Sequence, residues 1–454
     1  MNLWTYIRER MLEHPNSKVR EGESVMTFEE LCIFAEHFSK RLTDQYYGIV
    51  CGSEMGTALA LLSCIAAGKT AIPVPTRYGV DLYKRYLEKA KPKSVITDLD
   101  GEFRVLPINE TCKKMPREAA VVLFTSGSTG SPKGVMLSGE NIIANLESIV
   151  EYFPLSEEDV YLIARPLYHS SVLTGEFLLS LCKGSNIVFS SAEFSPMNIL
   201  KLMEDHGVTV FGSTPTLMST LAKFTKKANS LKLKTLSVSG ECMTKGMAVS
   251  IAAGFPYAKI ICGYGLSEAS PRVAYLPWKL FFVNPCATGV PLKNVKIRVV
   301  GKMGKKLPEN TVGELLVKGK NVMIGYFQDK LKTSKTIKHG WLHTGDLAYV
   351  GDDGLLYVKG RKDDMIIKAG MNIYPAEIEN ALSSDPRIER ISVYGYENND
   401  TQGICMQIQG DFENVNEVSA LCRTVLPSYQ MPTRIELVKH IEEGVSGKKK
   451  RRQG

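Results

Sequence analysis

Residues 121–138 read VVLFTSGSTGSPKGVMLS. Val121, Val122, Leu123 and Phe124 have the pattern of a buried strand, and Ser138 can cap a helix that runs through Ile142, Ile143 and Leu146. The stretch between is predicted to join strand to helix. Gly127, Gly130 and Gly134 let the backbone turn its N–H groups inward with no Cβ in the way. Thr125, Ser126, Ser128 and Thr129 add hydroxyl donors, and Lys133 adds a positive charge. Together they suit a phosphate. The order differs from the Gly-Lys-Ser/Thr of the P-loop nucleotidases, because Pro132 precedes Lys133 and Gly134 follows it. Pro132 also disfavours a helical Ser131, which places the lysine on a mobile loop rather than at a rigid helix start. A solvated Gly/Ser linker is the competing reading; the lysine, the strand before and the helix after argue against it.

At 454 residues and 44% hydrophobic, the chain can bury a large core and is expected to hold more than one domain. No apolar run approaches bilayer-spanning length, and Met1-Asn2-Leu3-Trp4 opens no charged-then-apolar leader, so the expected compartment is the cytoplasm. The ten cysteines form no Cys-x-x-Cys pair and no zinc-like spacing, and read as reduced, buried small hydrophobes with no structural metal. A net charge of +8 owes much to Lys448-Lys449-Lys450-Arg451-Arg452. That run reads as a solvated tail, and without an aromatic-basic platform no nucleic-acid partner is expected.

Through about residue 300, helical segments (34–42, 217–224) alternate with strand-like ones (208–211, 234–238), the pattern of an α/β core. Short strands then follow at 296–300, 312–318 and 355–358, as in an antiparallel subdomain. After the polar break at 360–364, a small α+β pattern runs to the end, with a helix at 375–382 that carries Pro375 in its first turn and a strand at 388–394. The fold class expected is α/β, with a large N-terminal domain and a small C-terminal one.

The 123–138 stretch resembles the phosphate loop of the acyl-adenylate-forming, or AMP-binding, superfamily of acyl- and aryl-CoA synthetases, nonribosomal peptide synthetase adenylation domains and luciferases. Further stretches resemble that family in its own order: Met26 to Leu31, Ala66 to Val74, Tyr264-Gly265-Leu266-Ser267-Glu268, Trp341 to Asp346, Gly360 to Asp364 and Ser446-Gly447-Lys448. The resemblance implies a core domain over 1–360, a hinge at 361–363 centred on Asp363, and a mobile lid over 364–454. Only about 120 residues precede the loop, and the region between Leu42 and Leu61 looks trimmed for the family.

What the resemblance implies is ATP-dependent activation of a carboxylate, then transfer to a thiol. Two anions must meet in the first step, so cationic groups and donors are needed where charge develops. Lys133, Thr125, Ser126, Gly127, Ser128, Thr129 and Gly130 would hold the terminal phosphates, and Glu268 would hold magnesium. Tyr264, with Gly265 and Ser267, would face adenine from one side and Gly240, Glu241 and Cys242 from the other. Asp346 would accept the ribose hydroxyls, and Arg361 would support the ribose or α-phosphate. Lys448 would bridge the attacking carboxylate and the α-phosphate. The Pro-Lys-Thr common ahead of that lysine is replaced by Glu442-Glu443-Gly444-Val445, which motivates a noncatalytic nucleotide-binding relative as a second hypothesis.

Arg165-Pro166-Leu167-Tyr168-His169-Ser170 carries no acid where amino-acid-activating members place one, so a non-amino-acid substrate is expected. Pro-Leu-Tyr-His is similar to the Pro-Leu-Phe-His of aryl- and fatty-acyl-CoA synthetases. His169 is either a gate at the acid pocket or a core histidine. Ser170, Ser213, Thr214, Ser239 and Gly263 would complete the pocket. Ser239-Gly240-Glu241 is more similar to benzoate-type ligases than to long-chain ones, a resemblance that implies an aryl acid over a fatty acid. Lys368, Ala369 and Gly370 would form the face past which a thiol arrives, from coenzyme A or from the phosphopantetheine of an acyl or peptidyl carrier protein. Oligomeric state is not legible.

Overall fold

The computed structural model describes residues 2–98, 101–125, 132–190, 195–228, 230–368, 371–398 and 401–442. Among the described residues the chain builds two large sheets, a smaller β-unit and a C-terminal α+β unit. The seven-stranded sheet has Ala119–Thr125 and Lys133–Ser138 side by side and antiparallel, with Thr125 opposite Lys133. The expectation that the glycine-rich segment leads from strand to helix is therefore corrected. It leads from one strand into a returning strand, and Lys133 is that strand's first residue rather than part of a mobile loop. Val135, Met136 and Leu137 are all buried, so an apolar run too short for a helix continues the ladder before Ser138. Ser138 then caps the helix Gly139–Tyr152 in a reciprocal capping box with Asn141.

The nine-stranded sheet carries the parallel strands Val210–Ser213, Thr235–Ser239 and Lys259–Gly265, followed by the antiparallel Arg272–Leu276. Ser213, Ser239 and Gly263 lie at or near the carboxyl ends of the parallel strands, where open α/β sheets place ligands. Between the two sheets runs the helix Glu54–Ala66, which touches strands of both. It is apolar all round and almost wholly buried, as a helix enclosed by two sheets must be. Its first residue, Glu54, is buried too. Glu54 accepts the Leu167 N–H at 2.9 Å and pairs with Arg77 at 3.2 Å, which ties the Pro166–His169 segment to the core.

The strands Val295–Val300, Gly313–Gly319, Trp341–Val350 and Leu356–Arg361 form the antiparallel unit expected from their turn-separated pattern. The C-terminal unit holds the sheet Ile388–Asn398, Thr401–Gly410 and Arg434–Leu437, the hairpin Ile366–Lys368 with Met371–Ile373, and two helices. It has its own apolar core around Ile378, Val393, Met406 and Val418. Its helix Pro375–Leu382 meets the N-terminal part through Lys245 N to Asn380 Oδ1 (2.9 Å) and Lys359 Nζ to Glu377 Oε1 (2.9 Å). Seven of the ten cysteines are buried, but Cys112 and Cys242 are exposed and Cys286 is half-buried, which narrows the expectation that all are core residues. Among the described residues no helix is long and apolar enough to cross a membrane.

Candidate active site

The strand that ends in Gly263-Tyr264-Gly265 opens into a short turn over Ser267–Ala269, which presents Glu268. Glu268 Oε1 accepts the Tyr326 hydroxyl at 2.8 Å, and its main-chain oxygen accepts Met323 N–H at 2.9 Å. Tyr326 comes from the two-residue strand Gly325–Tyr326, which pairs with Met136 and Val135 on the strand that begins at Lys133. One ladder thus brings the lysine and the carboxylate together. Burial, and then Glu268, push the Tyr326 hydroxyl above the usual tyrosine range, so it remains a donor. Glu268 Oε2 accepts no hydrogen bond among the described residues, which leaves its lone pairs open to a cation.

Lys332, on the helix Lys330–Thr336, reaches the same place. Its ammonium lies 5.4 Å from the Tyr326 ring centre and interacts with Lys133 and Glu268. Burial lowers its pKa to about 8, with Lys133 adding to the shift and Asp329 and Glu268 opposing it. Two interacting lysines beside Glu268 and Asp329 make a polar, charged site that can receive a polyanion.

Asp346 is buried at the inner edge of the antiparallel unit, reached through Gly345, whose φ of +71° turns the strand inward. Its N–H donates to Thr344 Oγ1 at 3.0 Å, and that hydroxyl donates to Leu315 O at 2.7 Å. Tyr264 donates its hydroxyl to Asp346 Oδ2, and Arg361 Nη1 reaches Asp346 Oδ1 at 3.0 Å and Thr344 O at 2.7 Å. Burial and the neighbouring carboxylate hold Tyr264 well above its ordinary pKa. Arg361 also interacts with Glu268, so the two halves of the site are electrostatically joined.

On the acid side, His169 lies against the Tyr168 ring at 4.2 Å, and its carbonyl accepts the Leu173 N–H at 2.8 Å. Ser170 and Ser267 share a 3.0 Å hydrogen bond, which joins the His169 segment to the Glu268 turn. Thr214 caps the helix Pro215–Ala222. The Glu241 carboxylate accepts from Thr216 Oγ1 at 2.6 Å and Thr216 N at 3.2 Å, so its side chain serves that helix start while Gly240 makes the turn at φ +101°. Cys242 is exposed. Asp363 is exposed just after Arg361, and Lys368 Nζ donates to Met431 O at 3.3 Å.

Ser126, Gly127, Ser128, Thr129, Gly130, Ala369, Gly370 and Lys448 lie outside the described residues. Three groups that shape the site escaped the sequence reading. Tyr326 and Lys332 sit beyond any motif, and their only signal is a Gly-Tyr-Phe stretch followed by a charged turn, a pattern that ordinary surface loops share. Thr344 lay inside a motif but was read only as a neighbour of Asp346.

A family model described as AMP-binding enzyme matches residues 8–327. Feruloyl-CoA synthase of an Amycolatopsis species is 29% identical over 484 aligned positions, covering 98% of this chain and 96% of the relative. The 2-succinylbenzoate–CoA ligase of Bacillus cytotoxicus is 29% identical, covering 88% of this chain and 86% of the ligase. Among solved structures, the o-succinylbenzoate CoA synthetase of Bacillus subtilis with its acyl-adenylate intermediate superposes with a TM-score of 0.84 at 24% identity, over 99% of this chain and 98% of that one.

Proposed function

This chain belongs to the AMP-binding enzyme family, and on that premise we propose that it is an AMP-forming acid–thiol ligase for a non-amino-acid carboxylic acid, an aryl acid being favoured. One carboxylate oxygen of the acid attacks the α-phosphorus of ATP. The bond from that phosphorus to the bridging oxygen breaks, pyrophosphate leaves, and an acyl-AMP remains. A thiol sulfur then attacks the acyl carbon, AMP leaves with the carboxyl oxygen, and the thiol proton passes to solvent.

The observation that carries this reading is the series of electrostatic interactions and hydrogen bonds from Lys133 through Lys332 and Glu268 to Arg361, Asp346 and Tyr264. Cations at one end suit the departing pyrophosphate, and a positioned carboxylate at the other suits a pair of ribose hydroxyls. Tyr264 would lie along the nucleoside, with its hydroxyl anchored on Asp346. A magnesium ion fits the free Glu268 Oε2, since such ions take one or two carboxylates and complete their shell from phosphates and water. When bound, it would supply charge neutralisation between the phosphates. Lys448 is assigned the bridging role by its motif, and Asp363 the hinge between a core over 1–360 and a lid over 364–454. We assign the acceptor as coenzyme A or a carrier-protein phosphopantetheine, and place the enzyme in the cytoplasm.

The test is mass spectrometry of the full chain incubated with Mg-ATP and a pooled library of aryl, fatty and amino acids. A single acyl-AMP among the non-amino acids is the expected result. An aminoacyl-AMP, or ADP as the nucleotide product, would overturn the reading.

A further inference from the structure

Arg272 begins the strand Arg272–Leu276, four residues after Glu268 and opposite Gly265 in the ladder. It is only 4% exposed. Its main chain is fixed on both sides: its N–H donates to Asn145 Oδ1 at 3.1 Å, and its carbonyl accepts from Asn145 Nδ2 at 2.7 Å and Asn321 Nδ2 at 3.2 Å. Its side chain is not satisfied. Nε is buried with no hydrogen-bond partner, and among the described residues the guanidinium has no carboxylate within ion-pair distance.

The room for this group is made by glycines. A Cβ on Gly263 would stand 1.6 Å from Nη1, and one on Gly175 would stand 3.2 Å from Nη2. The guanidinium therefore sits between the end of the Lys259–Gly265 strand and the helical segment Leu173–Leu178, beside the residues assigned to the acid pocket. The nearby carboxylate, Glu176, pairs with Arg165 through Oε1; its Oε2 is buried without a hydrogen-bond partner, and the carboxylate also interacts with Arg272. Two guanidiniums thus face one carboxylate among largely buried residues. Ser213 Oγ, at the end of its strand, is likewise buried with no partner. A buried cluster with one positive charge in excess is unfavourable, and the main chain of Arg272 is held in place on both sides.

We propose that the acid activated by this enzyme is a dicarboxylic acid, whose second carboxylate is received by Arg272. The proposal rests on the ligase reading above and narrows its substrate class. A planar guanidinium matches a carboxylate in two parallel hydrogen bonds. A long apolar tail would instead leave the excess positive charge uncompensated and be forced against it.

The test measures AMP formation by the full chain with hydroxylamine as acyl acceptor, comparing succinate with butyrate and phthalate with benzoate. At least one dicarboxylic acid is expected to exceed its monocarboxylic counterpart by roughly 100-fold or more in kcat/KM, since a site built for a polar group rejects the analogue that lacks it. Arg272→Met is expected to abolish that preference mainly through KM, and Arg272→Lys to keep part of it. Monocarboxylic acids that match or outperform both dicarboxylic partners would overturn the proposal while leaving the ligase reading intact. Equal losses for both classes in Arg272→Met, with a folded protein by thermal melt, would also overturn it. The wild-type comparison decides the matter if that variant does not fold. AMP formation from none of the four acids would overturn the dicarboxylic assignment, and failure of the pooled library as well would remove the ligase reading with it.

Discussion

The Tyr326 hydroxyl donates a 2.8 Å hydrogen bond to Glu268 Oε1, and so fixes the orientation of the carboxylate proposed to hold magnesium. Groups that orient a metal-binding carboxylate typically change metal affinity by about 10- to 100-fold when removed. Tyr326→Phe is therefore expected to raise the magnesium concentration needed for half-maximal pyrophosphate release by about 10-fold. Unchanged magnesium dependence would separate Glu268 from the metal.

Asp346 receives Tyr264 on one oxygen and Arg361 on the other. If this carboxylate reads the ribose, ATP should be preferred over 2′-deoxy-ATP, because a hydrogen bond to a charged group contributes about 1.5–3 kcal/mol. Asp346→Ala should erase the preference and raise KM for ATP. Steady-state kinetics with the two nucleotides checks this.

Lys332 supplies a pH signature. Its pKa is lowered to about 8, first by burial and then by Lys133. Below that value it is charged and attracts the triphosphate; as pH rises through it, the charge and the attraction are lost. The kcat/KM for ATP, which reports the free enzyme, is expected to fall above about pH 8. Lys332→Met should lower kcat/KM by about 10-fold at pH 7 and flatten that limb. A profile that keeps the same limb in the variant would assign it elsewhere.

Gly246 lies where the C-terminal helix docks, and a Cβ there would stand 2.1 Å from the Ser383 carbonyl oxygen. Backbone cannot yield as a flexible side-chain tip can. Gly246→Val is expected to unseat the helix Pro375–Leu382 and to speed tryptic cleavage at Arg361 and Lys362, with the core's melting temperature nearly unchanged. Equal cleavage rates would show that this contact does not hold the C-terminal unit.

Motif-borne parts of this molecule were legible because local chemistry dictates them. Ser138 is a capping serine in any context that follows it with a helix, and Pro375 starts a helix just where its missing N–H costs nothing. The strand that begins at Lys133 was not legible. An apolar run of three residues fits a strand or a helix start equally well, and pairing with Ala119–Thr125 on one side and with Gly325–Tyr326, from far along the chain, on the other decides between them. Lys332 and Arg272 were hidden for the same reason. Each is one charged residue in an ordinary stretch, and it acquires meaning from a neighbour far along the chain, Lys133 for Lys332, or from glycines that clear space for it, as for Arg272.

The most direct test of the central claim is isotope exchange between labelled pyrophosphate and ATP, catalysed by the full chain with and without acid and with no thiol present. Exchange that requires the acid and proceeds without thiol is the predicted result, because the first step is reversible and complete in itself. Acid-independent nucleotide turnover to ADP and phosphate, with no exchange, would contradict it.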